Sequence, residues 1–187
     1  HDMRHHLNAI DSFLAAGKPQ QAEEYIRAVR SDIESITPKR YCNNELVNLL
    51  CSSFDGKAQR IGVRLEVDAK LPRELSVSET ELCSVLSNAL ENALSAVSDR
   101  AAEERWVSLY CGVRLGKLLI EIKNPCAEGF VLRDGLPPSD REGHGYGCRS
   151  IQTIAERHGG LCEFRARDGI FSLRFMLPLA LAAEDGE

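Results

Sequence analysis

The run from Leu82 to Val97 constrains this chain more than any other stretch. Leu82, Val85, Leu86, Ala89, Leu90, Ala93, Leu94 and Val97 recur at three- and four-residue spacing without a gap. That pattern predicts a long helix with one broad apolar face, which a sheet or other helices must cover. Ser78-Glu-Thr-Glu81 just before it is a capping-box signature, so the helix is expected to open there.

The segments that could provide the cover follow in order. A helix is expected from Asn43 to about Ile61-Gly62, carrying Leu46, Val47, Leu49, Leu50 and Phe54. VRLEV (63–67) alternates apolar and charged residues and reads as a strand. WVSLYCGV and KLLIEI flank Gly116 and read as a hairpin, as do LCEFRAR and IFSLRFML across Asp168-Gly169. A helix of roughly ten residues, with Ile151, Ile154 and Ala155 inward, should stop at Gly159-Gly160. The order after residue 42 is helix, strand, helix, two strands, loop, helix, two strands. That predicts an α+β domain: a mixed or mostly antiparallel sheet covered on one face by helices.

The first 40 residues have a different character. Met3, Leu7, Ile10 and Leu14 fall at helical spacing. Gly17 and Pro19 interrupt, and Ala22, Tyr25, Ile26, Val29, Ile33 and Ile36 resume the period up to Thr37-Pro38. This predicts an αα-hairpin. Its apolar stripe asks for a partner, most simply the same hairpin of a second chain in a four-helix bundle. Two domains are therefore expected, residues 1–40 and 41–187.

Composition excludes several function classes. The 187 residues carry 23 Lys and Arg against 28 Asp and Glu, a net charge of −5, so phosphate backbones of nucleic acid are an unsuitable partner. No apolar run approaches the length of a membrane span. Cys42, Cys51, Cys83, Cys111, Cys126, Cys148 and Cys162 are scattered, with no CxxC spacing, which argues against zinc and fits a reducing compartment. The chain opens on His1 rather than Met, which suggests a piece of something longer.

Three sets of residues can carry chemistry. Asn88 and Asn92, four apart, share one flank of the long helix, and Glu81 falls on the same flank. Their neutral carbonyl oxygens suit a hydrated hard cation such as Mg²⁺ or a phosphate, although the spacing also fits two solvated asparagines. Gly143, Gly145 and Gly147 alternate just before a helix, where backbone can approach a ligand and the helix end favours an anion. Lacking GK[ST], they are not a Walker loop, and a hinge would also fit. At the N-terminus, His1 points away from the apolar stripe with Asp2 beside it. An exposed imidazole whose proton a carboxylate can accept is a phosphorylatable group; a plain surface histidine is the alternative.

Together these motifs resemble bacterial sensor histidine kinases of the GHKL superfamily, in the branch of quorum-sensing peptide kinases and citrate-type sensors. HDMRHHL is similar to the H-box, LSNALENALSA (86–96) to the N-box, and EGHGYGCRSI (142–151) to the G-box. AERHGG with the last hairpin is similar to the C-terminal end, so the resemblance spans nearly the whole chain. It implies an N-terminal dimerising helical hairpin followed by a Bergerat-type α/β sandwich that binds ATP. His1 would be the phosphoacceptor and Asp2 its acid/base. Asn92 would bind Mg²⁺, Asn88 would lie by the phosphates or metal, and Gly143, Gly145 and Gly147 would form the far side of the ATP pocket. Residues 125–142 would be the lid.

Asn124 stands where the superfamily usually has an Asp that accepts from the adenine amino group; an amide oxygen can accept the same bond. Asn88 stands where ATPase relatives have a water-activating Glu, and an amide cannot act as that base, so phosphoryl transfer is implied rather than hydrolysis. The implied assembly is a homodimer through the hairpin that donates its phosphoryl group to a response-regulator receiver domain. The implied location is the cytoplasmic side of a cell-membrane protein whose sensor precedes His1. A sporulation-type phosphotransferase with a degenerate ATP domain, or a GHKL serine kinase or ATPase, are the alternatives.

Overall fold

The computed structural model describes residues 2–36, 39–138 and 146–180. The chain forms two compact units, 1–39 and 40–187. In the first, α1 (Asp2–Ala15) and α2 (Pro19–Ile36) form a hairpin. Gly17 turns the chain at φ +67°, and Pro19 occupies the first helical position, where a missing N–H costs nothing. The rings of Phe13 and Tyr25 meet across the hairpin at 5.9 Å, and Ala22 is buried. Leu14 and Ile26 remain exposed, so two residues of the apolar period lack cover from the described residues of the hairpin.

The second unit is a five-stranded sheet with three helices on one face. Its elements are α3 (Glu45–Arg60), β1 (Arg64–Lys70), α4 (Glu79–Val97), β2 (Trp106–Arg114), β3 (Lys117–Pro125), α5 (Tyr146–Arg157), β4 (Leu161–Arg167) and β5 (Ile170–Pro178). A short 3₁₀ turn, Ala102–Glu104, precedes β2. The strand order is β1-β2-β3-β5-β4. Only β1 and β2 are parallel, Leu65 opposite Val107, because α4 carries the chain back between them. The other neighbours are antiparallel. Both hairpin turns take two consecutive left-handed residues, Leu115-Gly116 and Asp168-Gly169, the twist that suits a two-residue loop.

The stripe on α4 is the centre of the core. All eight of its apolar residues are buried, against β2 and β3. Leu109, Cys111, Ile120, Ile122, Leu173 and Phe175 alternate inward from the sheet to meet it. α3 lies on one side over β1, and α5 on the other over β4 and β5. The opposite face of the sheet mixes apolar side chains such as Tyr110, Leu119 and Met176 with charged ones, Glu121 holding Lys123 and Arg174. This is the two-layer arrangement expected from the element order.

The start of α3 is fastened by two asparagines. Asn44 caps it, accepting from the Val47 N–H at 3.0 Å and donating to the Arg73 carbonyl at 3.2 Å. Asn48 reaches back to the incoming chain. Its Oδ1 accepts from the N–H groups of Tyr41 (2.8 Å) and Cys42 (3.0 Å), and its Nδ2 donates to the Cys42 carbonyl at 2.8 Å. A cavity of about 370 Å³ beside this strap is lined by Cys42, Asn43, Ala69, Lys70, Leu71 and Pro72.

Candidate functional site

α4 and α5 run antiparallel in contact, and the polar flank of α4 meets the first turn of α5. Apolar spacing explains why: Cys148, Ile151, Ile154 and Ala155 bury one side of α5, which brings Gly147 onto the asparagine flank. A Cβ placed on Gly147 would lie 3.4 Å from Asn88 Oδ1, 3.4 Å from Asn92 Nδ2 and 3.6 Å from Asn88 Cβ. A Cβ would just reach van der Waals contact with both amides, so glycine leaves this space open beside them. Asn92 Nδ2 donates to Cys148 Sγ at 3.3 Å, and Asn88 Nδ2 donates to Ser84 Oγ at 3.3 Å. Burial pushes the Cys148 thiol up to about 11, so at neutral pH it is an uncharged acceptor. With both amide nitrogens engaged, the oxygens of Asn88 and Asn92 are the ends available to a hard cation or a bound water.

Asn124 lies at the end of β3 and is 1% exposed. Its Nδ2 donates to the Pro125 carbonyl at 2.9 Å, which fixes the amide's orientation, since only the nitrogen can donate. Its Oδ1 is buried with no hydrogen-bond partner among the described residues. An orphaned buried acceptor costs about 1–3 kcal/mol, a cost that a ligand donor would remove.

Three of the residues expected to bind nucleotide, Asn88, Asn92 and Gly147, thus converge. Asn124 is a separate buried acceptor at a strand end. His1, Gly143 and Gly145 lie outside the described residues, and of Asp2 only the backbone, opening α1, is described. The expected lid is in part a packed segment. Cys126 N–H bonds the Gly169 carbonyl at 2.8 Å, Phe130 meets the Phe171 ring edge-on at 5.9 Å, and Leu132 and Leu136 lean on the core. Residues 139–142 lie outside the described residues.

Glu81 departs from its expected role. Ser78 caps α4 through the Glu81 N–H, but the Glu81 carboxylate does not complete the box. It accepts from Arg157 Nη1 at 2.9 Å and meets His158 Nε2 at 2.8 Å, at the far end of α5. Local spacing could not show this, because the partners lie more than seventy residues away.

Residues 77–178 match the family described as the GHKL domain. That is more than half of the chain, which belongs to this family. No curated protein matches it. Among solved structures, the catalytic domain of histidine kinase ThkA matches with a TM-score of 0.57 at 17% identity, over 72% of this chain and 90% of that one. A histidine kinase from Burkholderia phymatum matches with a TM-score of 0.53 at 20% identity, over 96% and 88%. Full-length ShkA, solved in complex with AMPPNP, matches with a TM-score of 0.58 at 16% identity, over 92% of this chain and 39% of that one. At these identities the likeness is one of fold. Among the described residues no helix is long and apolar enough to cross a membrane, and no group of His, Cys, Asp and Glu could hold a metal.

Proposed function

We propose that this chain is the catalytic core of a sensor histidine kinase: it binds Mg²⁺-ATP, phosphorylates His1, and passes the phosphoryl group to an aspartate of a response-regulator receiver domain. The observation that carries the reading is the pairing of a Gly147-backed asparagine cluster with an orphaned buried acceptor, on a GHKL domain fold.

The residues present fit the nucleotide and its metal. The Asn124 oxygen is an uncharged acceptor suited to an exocyclic amino group such as that of adenine. Asn92 offers Mg²⁺ a neutral oxygen, its nitrogen being held by Cys148. Asn88 stands beside it for the phosphates or the metal, with Gly143, Gly145 and Gly147 as the glycine wall. Bound Mg²⁺-ATP would supply the phosphoryl group and leave as ADP, the metal neutralising the phosphate charge. The protein's own work is to position groups and move one proton. One ring nitrogen of His1 is the acceptor, and Asp2 takes the proton from the other. Asn88 has no basic lone pair with which to activate water, so hydrolysis is disfavoured.

The uncovered Leu14 and Ile26 support assembly of the hairpin with a second copy. The reading also places the chain on the cytoplasmic side of a membrane-anchored sensor.

Labelled ATP and Mg²⁺ should place acid-labile, base-stable label on the wild-type chain and none on His1→Ala. Equal labelling of both would remove His1 from its role. Binding without any labelling would favour another GHKL activity.

A further inference from the structure

We propose that Glu81 is a positioning residue for the nucleotide site, acting through α5. This inference rests on reading the α4–α5 junction as that site.

The two helices touch at two polar places. At one end, Gly147 and Cys148 lie on Asn88 and Asn92. At the other, Arg157 and His158 close on the two oxygens of Glu81. The stretch of α4 from Glu81 to Asn92 and the stretch of α5 from Cys148 to Arg157 are each about 15 Å long. Fixing the far end of α5 therefore fixes where its first turn falls.

Apolar packing alone does this poorly. Cys148, Ile151, Ile154 and Ala155 hold α5 against the core, but such contacts are non-directional and resist sliding or rotation weakly. A carboxylate met at both oxygens is directional and restricts the axial position and rotation of α5. The Glu81 side chain is 17% exposed while Arg157 and His158 are 62% and 41% exposed, so the carboxylate is the fixed member of the contact. The charges also suit the helix ends: a carboxylate in the first turn of α4, the Arg157 guanidinium in the last turn of α5. Glu81 gives up the second half of its own capping box to make this contact. Gly160 reinforces it. A Cβ there would lie 2.2 Å from the Met176 carbonyl of β5, so the chain leaving His158 can enter β4 past it only as glycine.

A control pair exists on the same helix. Lys57 and Glu91 join α3 to α4 by a similar contact, with a more exposed carboxylate, that does not involve α5.

The experiment compares the full chain with Glu81→Ala, Glu81→Gln and Glu91→Ala. Mg²⁺-ATP affinity is measured by calorimetry. Alkylation of the buried Cys148 is followed without nucleotide by peptide mass mapping. Glu81→Ala should weaken Mg²⁺-ATP binding about tenfold and speed Cys148 labelling several-fold. Glu81→Gln keeps the shape and one acceptor, so it should fold if the alanine variant does not, and should show the same changes to a smaller degree. Glu91→Ala should show neither.

Wild-type affinity and unchanged Cys148 protection in both Glu81 variants would overturn the proposal, as would equal losses in Glu91→Ala. Faster labelling with undiminished affinity would also overturn it, because α5 would then have moved without consequence for the site. A wild-type chain that binds no Mg²⁺-ATP would instead defeat the nucleotide reading and the positioning role with it, while the labelling rates would still report whether Glu81 holds α5.

Discussion

Two asparagine pairs with the same four-residue spacing sit on neighbouring helices and do different things. Asn44 and Asn48 open α3, and Asn88 and Asn92 lie within α4. The first pair bonds almost wholly to backbone: the Val47 N–H, the Arg73 carbonyl, and three groups of Tyr41 and Cys42. Among the described residues, the second pair bonds to side chains, Ser84 and Cys148, through its nitrogens. Spacing brings each pair to one face, but what the amides are left without decides their use. A pair whose oxygens are spent on the main chain ties structure together. A pair whose oxygens remain available, backed by glycine, can take a ligand.

The sharpest way to break this comparison is Asn92→Ala. Mg²⁺-dependent nucleotide affinity should fall about a hundredfold or beyond detection, with the thermal unfolding midpoint nearly unchanged. Calorimetry and a melting curve on the same sample decide it. Undiminished affinity would mean that the α4 pair is as structural as the α3 pair.

The converse applies to α3. Asn48→Ala strips partners from three backbone groups of the incoming segment and should cost about 1–3 kcal/mol. Asn44→Ala removes a cap and should cost about 1 kcal/mol. At this chain length each kcal/mol lowers the midpoint by about 2–4 °C. Nucleotide affinity should hold in both. A large loss of affinity at Asn48 would show that the strap into α3 and the nucleotide site are coupled.

Most of the fold was legible because its signals are local. The α4 stripe, the Gly116 and Asp168-Gly169 turns, and the stop at Gly159-Gly160 each depend on residues within one turn or one hairpin. What escaped was long-range. The parallel pairing of β1 with β2 depends on where α4 returns the chain, not on any motif in either strand. The grip of Glu81 on Arg157 and His158 was hidden behind a credible local role as a capping residue. The α3 asparagines carry the same spacing as the α4 pair, and nothing in that spacing tells a strap from a site. At Asn124 the position was legible through family resemblance. That its oxygen is buried and unpartnered is a fact of packing that only coordinates supply.

Gly147→Ala is the mildest test and separates stability from binding most cleanly. Position 147 lies in the first turn of α5 and does not need a left-handed backbone, so alanine can adopt its conformation. Alanine is the better helix former, by up to about 1 kcal/mol in a helix interior, so the unfolding midpoint should hold or rise slightly. Its methyl group would lie 3.4 Å from both Asn88 Oδ1 and Asn92 Nδ2, at the near limit of van der Waals contact. It would fill the space beside the two amides, so a turn of either amide toward a ligand would press against it. That restricts the oxygens offered to the metal while leaving the apolar contacts of Ile151 and Ile154 intact. Mg²⁺-ATP affinity should therefore drop about three- to tenfold with no loss of stability. Affinity and stability falling together would make Gly147 a packing residue like Gly160. Affinity unchanged would mean that the amides accommodate the methyl group, and that the close approach at α5 is not what shapes the site.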